Sequence, residues 1–278
     1  MRIARFTNAK DGQGEPAYGV VTGDLDQFGQ PAEDAVIVEL VGDPMYVGLK
    51  VLEKEHRLAD VKLLAPVIPR SKVVGVGKNY AAHAAEMGGD QPAEPLLFLK
   101  PNTSVIGPND AIVYPRQSSH LSYEGELAVV IGRICRDVPP ERATDVIFGY
   151  TIANDVTARD LQKSDNQWAR AKGMDTFCPL GPWIDHPTVE GDLDPQAFID
   201  GRRVQTFLNG NVVQDGTTAD MTWDIPNLVA YISAAMTLLP GDVILTGTPE
   251  GVGAMEPGDE VEVFVEGLGS LTNTVIRR

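Results

Sequence analysis

Glu124 and Glu126 flank a single glycine in Leu121-Ser-Tyr-Glu-Gly-Glu-Leu127, and Asp155 stands in Ala153-Asn-Asp-Val-Thr-Ala-Arg-Asp160. The β-branched run Leu127-Ala-Val-Val-Ile131 predicts a strand beginning at the glutamates. Residues two apart on a strand point to the same side. The two glutamates then project together, and like charges held that close need a cation or a shared proton. Asp155 closes a second apolar run, Val146-Ile-Phe-Gly-Tyr-Thr-Ile-Ala153, also readable as a strand. Three carboxylates at strand ends make an all-oxygen site for a hard divalent cation. Mg²⁺ is the first candidate, because few carboxylates hold it and its remaining waters can yield to a substrate; Mn²⁺ or Ca²⁺ are alternatives. Spacing alone also fits a plainer reading, in which Glu124 and Glu126 line the solvent face of a half-buried strand.

The elements around these residues are mostly strands. The pattern predicts a small leading α+β unit over 1–66 and a main body over 67–278. In the leading unit Ala17–Thr22 reads as a strand. Asp43–His56 reads as a helix with Asp43 as its cap and Pro44 at its first position. Ala65-Pro-Val-Ile-Pro69 forms the joint. The body opens with a strand over Lys72–Gly77 and a helix over Ala81–Met87, which Gly88-Gly89 end. Strands follow at Leu96–Lys100, Asp242–Thr246, Glu260–Val265 and Leu271–Ile276. A helix is expected within 160–172 and another over Leu228–Met236. Asn209-Gly210 turns a hairpin over Val204–Gln214. With 28 glycines and 20 prolines spread through 278 residues, the fold class is β-rich α+β.

Composition excludes several functions. The chain carries 39 acidic and 23 basic residues, a net charge of −16, with no run of Lys or Arg to meet nucleic acid. No apolar stretch reaches the ~18–20 residues of a membrane span. Met1-Arg-Ile-Ala-Arg-Phe6 leads into polar residues without a signal-peptide core, so a cytoplasmic protein is expected. The two cysteines, Cys135 and Cys178, have no metal or redox spacing and are expected to be reduced and buried.

Five blocks in order resemble the fumarylacetoacetate hydrolase family: Val76-Gly-Lys-Asn-Tyr-Ala-Ala-His83, Tyr123-Glu-Gly-Glu-Leu127, Asn154-Asp-Val-Thr-Ala-Arg-Asp160, Ala171-Lys-Gly-Met-Asp-Thr-Phe-Cys-Pro-Leu-Gly-Pro182, and Pro240–Gly253. The resemblance runs from about residue 70 to the C-terminus. It implies the family's mixed β-roll, a homodimer, a bound Mg²⁺ or Mn²⁺, and small anionic substrates with a 2-oxo acid unit. By the same resemblance Glu124, Glu126 and Asp155 match metal ligands. Lys172 matches an active-site lysine, His83 and Glu86 a dyad on a helix that covers the site, and Gln162 and Thr248 substrate contacts.

Each of these has a plain alternative. His83 and Glu86, three apart on a helix, would otherwise be a surface pair. Lys172 would be a solvent-seeking lysine. Thr246–Gly253 would be an ordinary loop, and its glycines form no dinucleotide fingerprint. Arg159, Asp160 and Asp175 are expected to support the site by hydrogen bonds. His56, His120 and His186 show no ligand spacing. Three functions follow: a metal-dependent hydrolase or decarboxylase cleaving a C–C bond in an acylpyruvate, fumarylacetoacetate-like compound or oxaloacetate; an isomerase of the 2-hydroxyhepta-2,4-diene-1,7-dioate type; or a catalytically silent module binding metal or carboxylates. The presence of Lys172 with the dyad argues against the third.

Overall fold

The structure is a computed structural model that describes residues 1–8, 14–24, 26, 31–88, 91–187, 198 and 201–277. Strand Gly125–Ile131 lies inside the main sheet. It pairs antiparallel with Ile147–Asn154 on one side and Val243–Leu245 on the other. Every residue of it is buried, because both faces are covered. Leu127, Val129 and Ile131 pack with Val263, Val265, Leu271 and the helix Ile225–Ala235. Ala128 and Val130 face the other way, among Ile3, Val73 and Leu180. Glu126 shares the parity of Ala128, and Gly125 that of Leu127. The glutamates are therefore not on a solvent face.

From one edge the sheet runs Val51–Arg57, Val36–Leu40, Ala17–Thr22, Arg2–Thr7, Cys178–Asp185, Ile147–Asn154, Gly125–Ile131, Val243–Leu245, Val73–Gly77 and Leu96–Lys100. The first four strands belong to the leading residues. Arg2–Thr7 pairs antiparallel with Cys178–Asp185, so the leading unit continues the body's own sheet. Trp183 packs with Phe6, Val21 and Ile37 across that join. A five-stranded sheet covers the other side of the core, in the order Asn211–Thr217, Arg203–Leu208, Glu260–Val265, Gly269–Arg277 and Ile112–Tyr114. Its hairpin turns at Asn209 and Gly210, both with positive φ (51° and 76°), as a type I′ turn requires. Among the described residues no helix is long and apolar enough to cross a membrane.

Two expected helices differ. Asp43 does cap a helix, accepting from Met45 N, but the helix is only Pro44–Val47. Gly48, at φ 74°, ends it. Val51–Arg57 then pairs with Val36–Leu40, and Lys54 and His56 both reach Glu39 at 2.7 Å. Cross-strand pairing there outweighs the helical tendency of the Glu-Lys-Glu run. Over 160–172 the chain forms two short helices, Arg159–Ser164 and Ala169–Lys172. Asp165 turns extended at the end of the first and pairs with Arg170 of the second at 2.7 Å. Both cysteines are free, but Cys135 is only half-buried. Gly89 lies outside the described residues.

Gly125 faces the second sheet so closely that a Cβ there would lie 2.2 Å from Thr206 Oγ1 and 2.9 Å from Val263. Thr206 cannot retreat freely, because its hydroxyl donates to Gln214 Oε1 at 2.7 Å. Gly125→Ala is expected to destabilise the fold by about 1–3 kcal/mol through overpacking, lowering Tm by roughly 2–5 °C. Calorimetry showing an unchanged Tm would mean that the sheets can part locally at no cost.

Candidate active site

The strand register brings the three carboxylates together. Gly125 lies opposite Asn154, so the residues just outside that pair, Glu124 and Asp155, become neighbours. Asp155 N donates to Glu124 O at 2.9 Å, and Glu124 N donates to Asn154 Oδ1 at 3.0 Å. One ligand oxygen from each of Glu124, Glu126 and Asp155 lies within 4.8 Å of the others. All three residues are at most 4% exposed.

The glycine between the glutamates is held by a closed ring of hydrogen bonds. Gly125 N donates to Gln214 Oε1 at 3.0 Å, Gln214 Nε2 donates to Thr248 Oγ1 at 2.8 Å, and Thr248 Oγ1 donates to Gly125 O at 2.8 Å. Gln214 Nε2 also donates to Pro249 O at 2.8 Å, which fixes which way the amide faces. The Glu-Gly-Glu backbone is thus tied to the glycine-rich loop after Val243–Leu245. Two N–H groups of that loop meet protein carboxylates: Gly247 N donates to Glu126 Oε2 at 2.7 Å, and Gly251 N lies 3.2 Å from both oxygens of Glu86.

Three buried cations surround the carboxylates, but unevenly. Lys172 Nζ donates to Glu124 Oε2 at 2.8 Å and to Asp155 Oδ2 at 2.6 Å. Arg159 lies 2.6 Å from Glu124 Oε1, and Lys100 lies 2.6 Å from Asp155 Oδ1. Glu126 has no cationic partner among the described residues. Burial works to raise the Glu124 carboxyl, but Arg159 and Lys172 outweigh it and hold it well below the usual range. Burial, then Asp155 and Glu124, push Glu126 well above it. Burial opposes the Lys172 charge, but Asp155 and Glu124 prevail and raise its ammonium above the ordinary lysine value.

A small cleft of about 180 Å³ opens over this cluster. His83, Glu124, Gln162, Lys172 and Thr248 all line it. His83 Nδ1 lies 3.2 Å from Glu86 Oε2 on the short helix Ala81–Glu86. Gln162 Oε1 accepts from Arg159 NH1 at 3.0 Å. Asp160 instead fastens Ser118 and Ser119, whose donors hold it at about pH 2 against the opposing effect of burial. Asp175 is exposed beside a separate hollow with Arg116 and Thr176. Neither supports the site as expected, whereas Arg159 enters it.

Lys100 and Gln214 also hold the site, although no motif marks them in the sequence. Lys100 is 1% exposed and also donates to the carbonyls of Phe177 (2.7 Å), Val156 (3.3 Å) and Lys172. Parity on Leu96–Lys100 was its one sequence signal. Lys100 shares a face with Phe98, whose ring lies 4.9 Å from Lys172 Nζ. His56 pairs with Glu39 and His186 Nδ1 with Phe148 O, away from the cluster.

A divalent cation fits the cluster. The donors are oxygens only, and Glu126 is a buried carboxyl that lacks a cation. Arg159 and Lys100 approach Glu124 Oε1 and Asp155 Oδ1 closely, yet neither oxygen has an aligned hydrogen bond, so both keep lone pairs. Glu124, Glu126 and Asp155 would hold the ion.

Comparison with known proteins places this geometry in a family. Residues 72–276 match fumarylacetoacetate (FAA) hydrolase, C-terminal, and residues 1–66 match the Rv2993c-like N-terminal family. The chain belongs to the fumarylacetoacetate hydrolase family. It is 50% identical to protein Rv2993c of Mycobacterium tuberculosis over 100% of this chain and 99% of that one. It is similar in structure to 5-carboxymethyl-2-hydroxymuconate delta-isomerase from Mycobacterium smegmatis (TM-score 0.86, 50% identity, 100% of both chains). It also resembles fumarylpyruvate hydrolase from Pseudomonas aeruginosa, solved with Mn²⁺ and pyruvate (TM-score 0.69, 32% identity, 78% of this chain and 92% of that one).

Glu126→Gln separates affinity from stability. The amide replaces a carboxyl already driven towards its neutral form, so without metal Tm is expected to rise by roughly 2–4 °C. Mg²⁺ affinity is expected to fall by at least about tenfold, because a charged ligand is lost. Calorimetry giving unchanged affinity would remove Glu126 from the ion's shell.

Proposed function

We propose that this protein is a divalent-metal-dependent enzyme, using Mg²⁺, that cleaves a C–C bond in a small 2-oxo acid. An acylpyruvate would be hydrolysed, and oxaloacetate would be decarboxylated at the same site. The observation that carries the reading is the shared cleft: His83 of the His83–Glu86 dyad and Lys172 both line the space over the carboxylate cluster. A bound Mg²⁺ supplies Lewis-acid polarisation of a keto oxygen. Lys172 places a fixed ammonium where an enolate develops, so it favours the transition state over the ground state. With Nδ1 turned to Glu86, His83 has Nε2 left to take a proton from water as that water attacks the distal carbonyl. Glu86, itself held by Gly251 N, orients the ring. The acyl–carbon bond then breaks, the electron pair enters the enolate, and protonation gives pyruvate and a carboxylic acid.

A second reading is favoured by the full-length similarity to the M. smegmatis isomerase. The same enolate-stabilising charges with a proton shuttle on His83 would move a double bond in an unsaturated oxo-diacid.

Assays with acetylpyruvate, oxaloacetate and a 2-hydroxy-2,4-dienedioate, each with Mg²⁺ and with EDTA, separate the readings. Cleavage of acetylpyruvate that EDTA abolishes is expected. His83→Ala should lower that hydrolysis by about 10²–10⁴-fold, as loss of a general base does, and affect decarboxylation much less. Full activity in EDTA, turnover of the dienedioate alone, or an equal small loss on both substrates would overturn the hydrolase reading.

A further inference from the structure

Each hydrogen bond in the ring beside the carboxylates has a fixed direction. Pro249 O can only accept, so the group of Gln214 that meets it at 2.8 Å is the amide N–H. Gln214 Oε1 then faces two donors, Gly125 N at 3.0 Å and Thr206 Oγ1 at 2.7 Å. Gln214 Nε2 also donates to Thr248 Oγ1 at 2.8 Å. Thr248 gives its own proton to Gly125 O, again at 2.8 Å. A hydroxyl has one proton and two lone pairs. The proton and one lone pair of Thr248 are therefore spent inside the protein. Thr248 lines the cleft with one lone pair left, and only a donor can meet it there.

This polarity restricts what Thr248 can hold. An ionised 2-oxo acid offers only acceptors, its carboxylate and keto oxygens. Other groups of the wall suit those oxygens. Lys172 carries an ammonium, and Gln162, whose Oε1 is turned to Arg159 at 3.0 Å, has its amide N–H side for an oxyanion. Thr248 Oγ1 would set lone pair against lone pair. One other side chain of the wall shares its polarity. His83 Nδ1 is turned to Glu86 at 3.2 Å, so Nε2 of the neutral ring is an acceptor. Glu124 belongs to the carboxylate cluster, and Gln162 Oε1 is taken by Arg159. Among the residues lining the cleft, that leaves His83 and Thr248 as the side-chain nitrogen and oxygen acceptors. Two acceptors in a cleft of about 180 Å³ match the two protons of one water, which fills about 30 Å³.

We propose that Thr248 holds the attacking water of the hydrolysis, its Oγ1 accepting one O–H of that water while His83 Nε2 accepts the other. The proposal rests on the hydrolase reading. It gives Thr248 a different role from the substrate contact that the family resemblance implies. With both protons engaged, the water turns a lone pair to the carbon under attack. His83 takes one proton as the new C–O bond forms and the C=O electron pair moves onto its oxygen. Thr248 takes no proton. The hydrogen facing it stays on the attacking oxygen and leaves in the carboxylic acid. Gln214 is a positioning residue that acts through Thr248. Its N–H keeps the hydroxyl proton on Gly125 O and out of the cleft.

Acetylpyruvate hydrolysis consumes a water and oxaloacetate decarboxylation does not, so the pair of reactions separates water binding from substrate binding. Thr248→Val keeps the shape of the side chain and deletes the hydroxyl. It should lower kcat for acetylpyruvate about 10–100-fold and change KM by less than about twofold, as for a misplaced reactant. Oxaloacetate decarboxylation should fall far less. Calorimetry with oxalate and Mg²⁺ should give an affinity within about twofold of the parent's. Thr248→Ser keeps the hydroxyl, should retain most of the hydrolysis, and guards against a packing effect of the Val variant. A raised KM with weaker oxalate binding would make Thr248 a substrate contact and overturn the proposal. So would an equal loss on both substrates, a Ser variant as slow as the Val variant, or undiminished hydrolysis. In each of these cases the parent still cleaves acetylpyruvate and the hydrolase reading stands. A parent that leaves acetylpyruvate intact would overturn that reading and the water's assignment together.

Discussion

Carboxylate oxygens within 4.8 Å of one another repel by about 3–4 kcal/mol per pair at an effective dielectric near 20. Burial at this depth removes the water that would screen them. The surroundings of Glu124, Glu126 and Asp155 can be understood as answers to that repulsion. Lys172 bridges two of the carboxylates, while Arg159 and Lys100 each approach one from outside. Among the described residues Glu126 alone of the three gets no cation, and it is driven towards its neutral form. The imbalance is useful. A cluster compensated throughout would have little reason to take up a metal, whereas here one carboxyl remains to be satisfied.

Holding the charges in place falls to backbone and neutral groups. The register of Gly125 opposite Asn154 sets which residues meet, and Asp155 N and Asn154 Oδ1 clasp Glu124. The ring through Gln214 and Thr248 ties the Glu-Gly-Glu segment to the glycine-rich loop, which also delivers Gly247 N to Glu126 and Gly251 N to Glu86. One loop therefore positions both the carboxylate cluster and the dyad. The hydroxyl proton of Thr248 points at Gly125 O, so towards the cleft this hydroxyl can only accept.

Sequence made the carboxylates legible because strand parity is local. Glu124 and Glu126 are two apart, and Asp155 follows an unmistakable apolar run. The Asn209-Gly210 hairpin and the strand Leu96–Lys100 were readable for the same reason. The partners of the carboxylates were not. Lys172 lies 48 and 17 residues from the groups it bridges, and only family resemblance pointed to it. Lys100 and Gln214 look like ordinary strand residues until the sheets are assembled. The helix expected over Asp43–His56 failed at Gly48, where a positive φ stops the helix and sheet pairing takes over. Asp175 is near Lys172 in sequence, but it is exposed in the turn that follows the helix and lines another hollow with Arg116 and Thr176.

One divalent ion held by Glu124, Glu126 and Asp155 is the centre of the proposed chemistry. Crystals grown with Mn²⁺ and measured for its anomalous scattering test this directly. A single strong peak is predicted at coordination distance, roughly 2.0–2.6 Å, from an oxygen of each of the three residues. Mn²⁺ bound only elsewhere, or no peak while Lys172 still bridges Glu124 and Asp155, would contradict it.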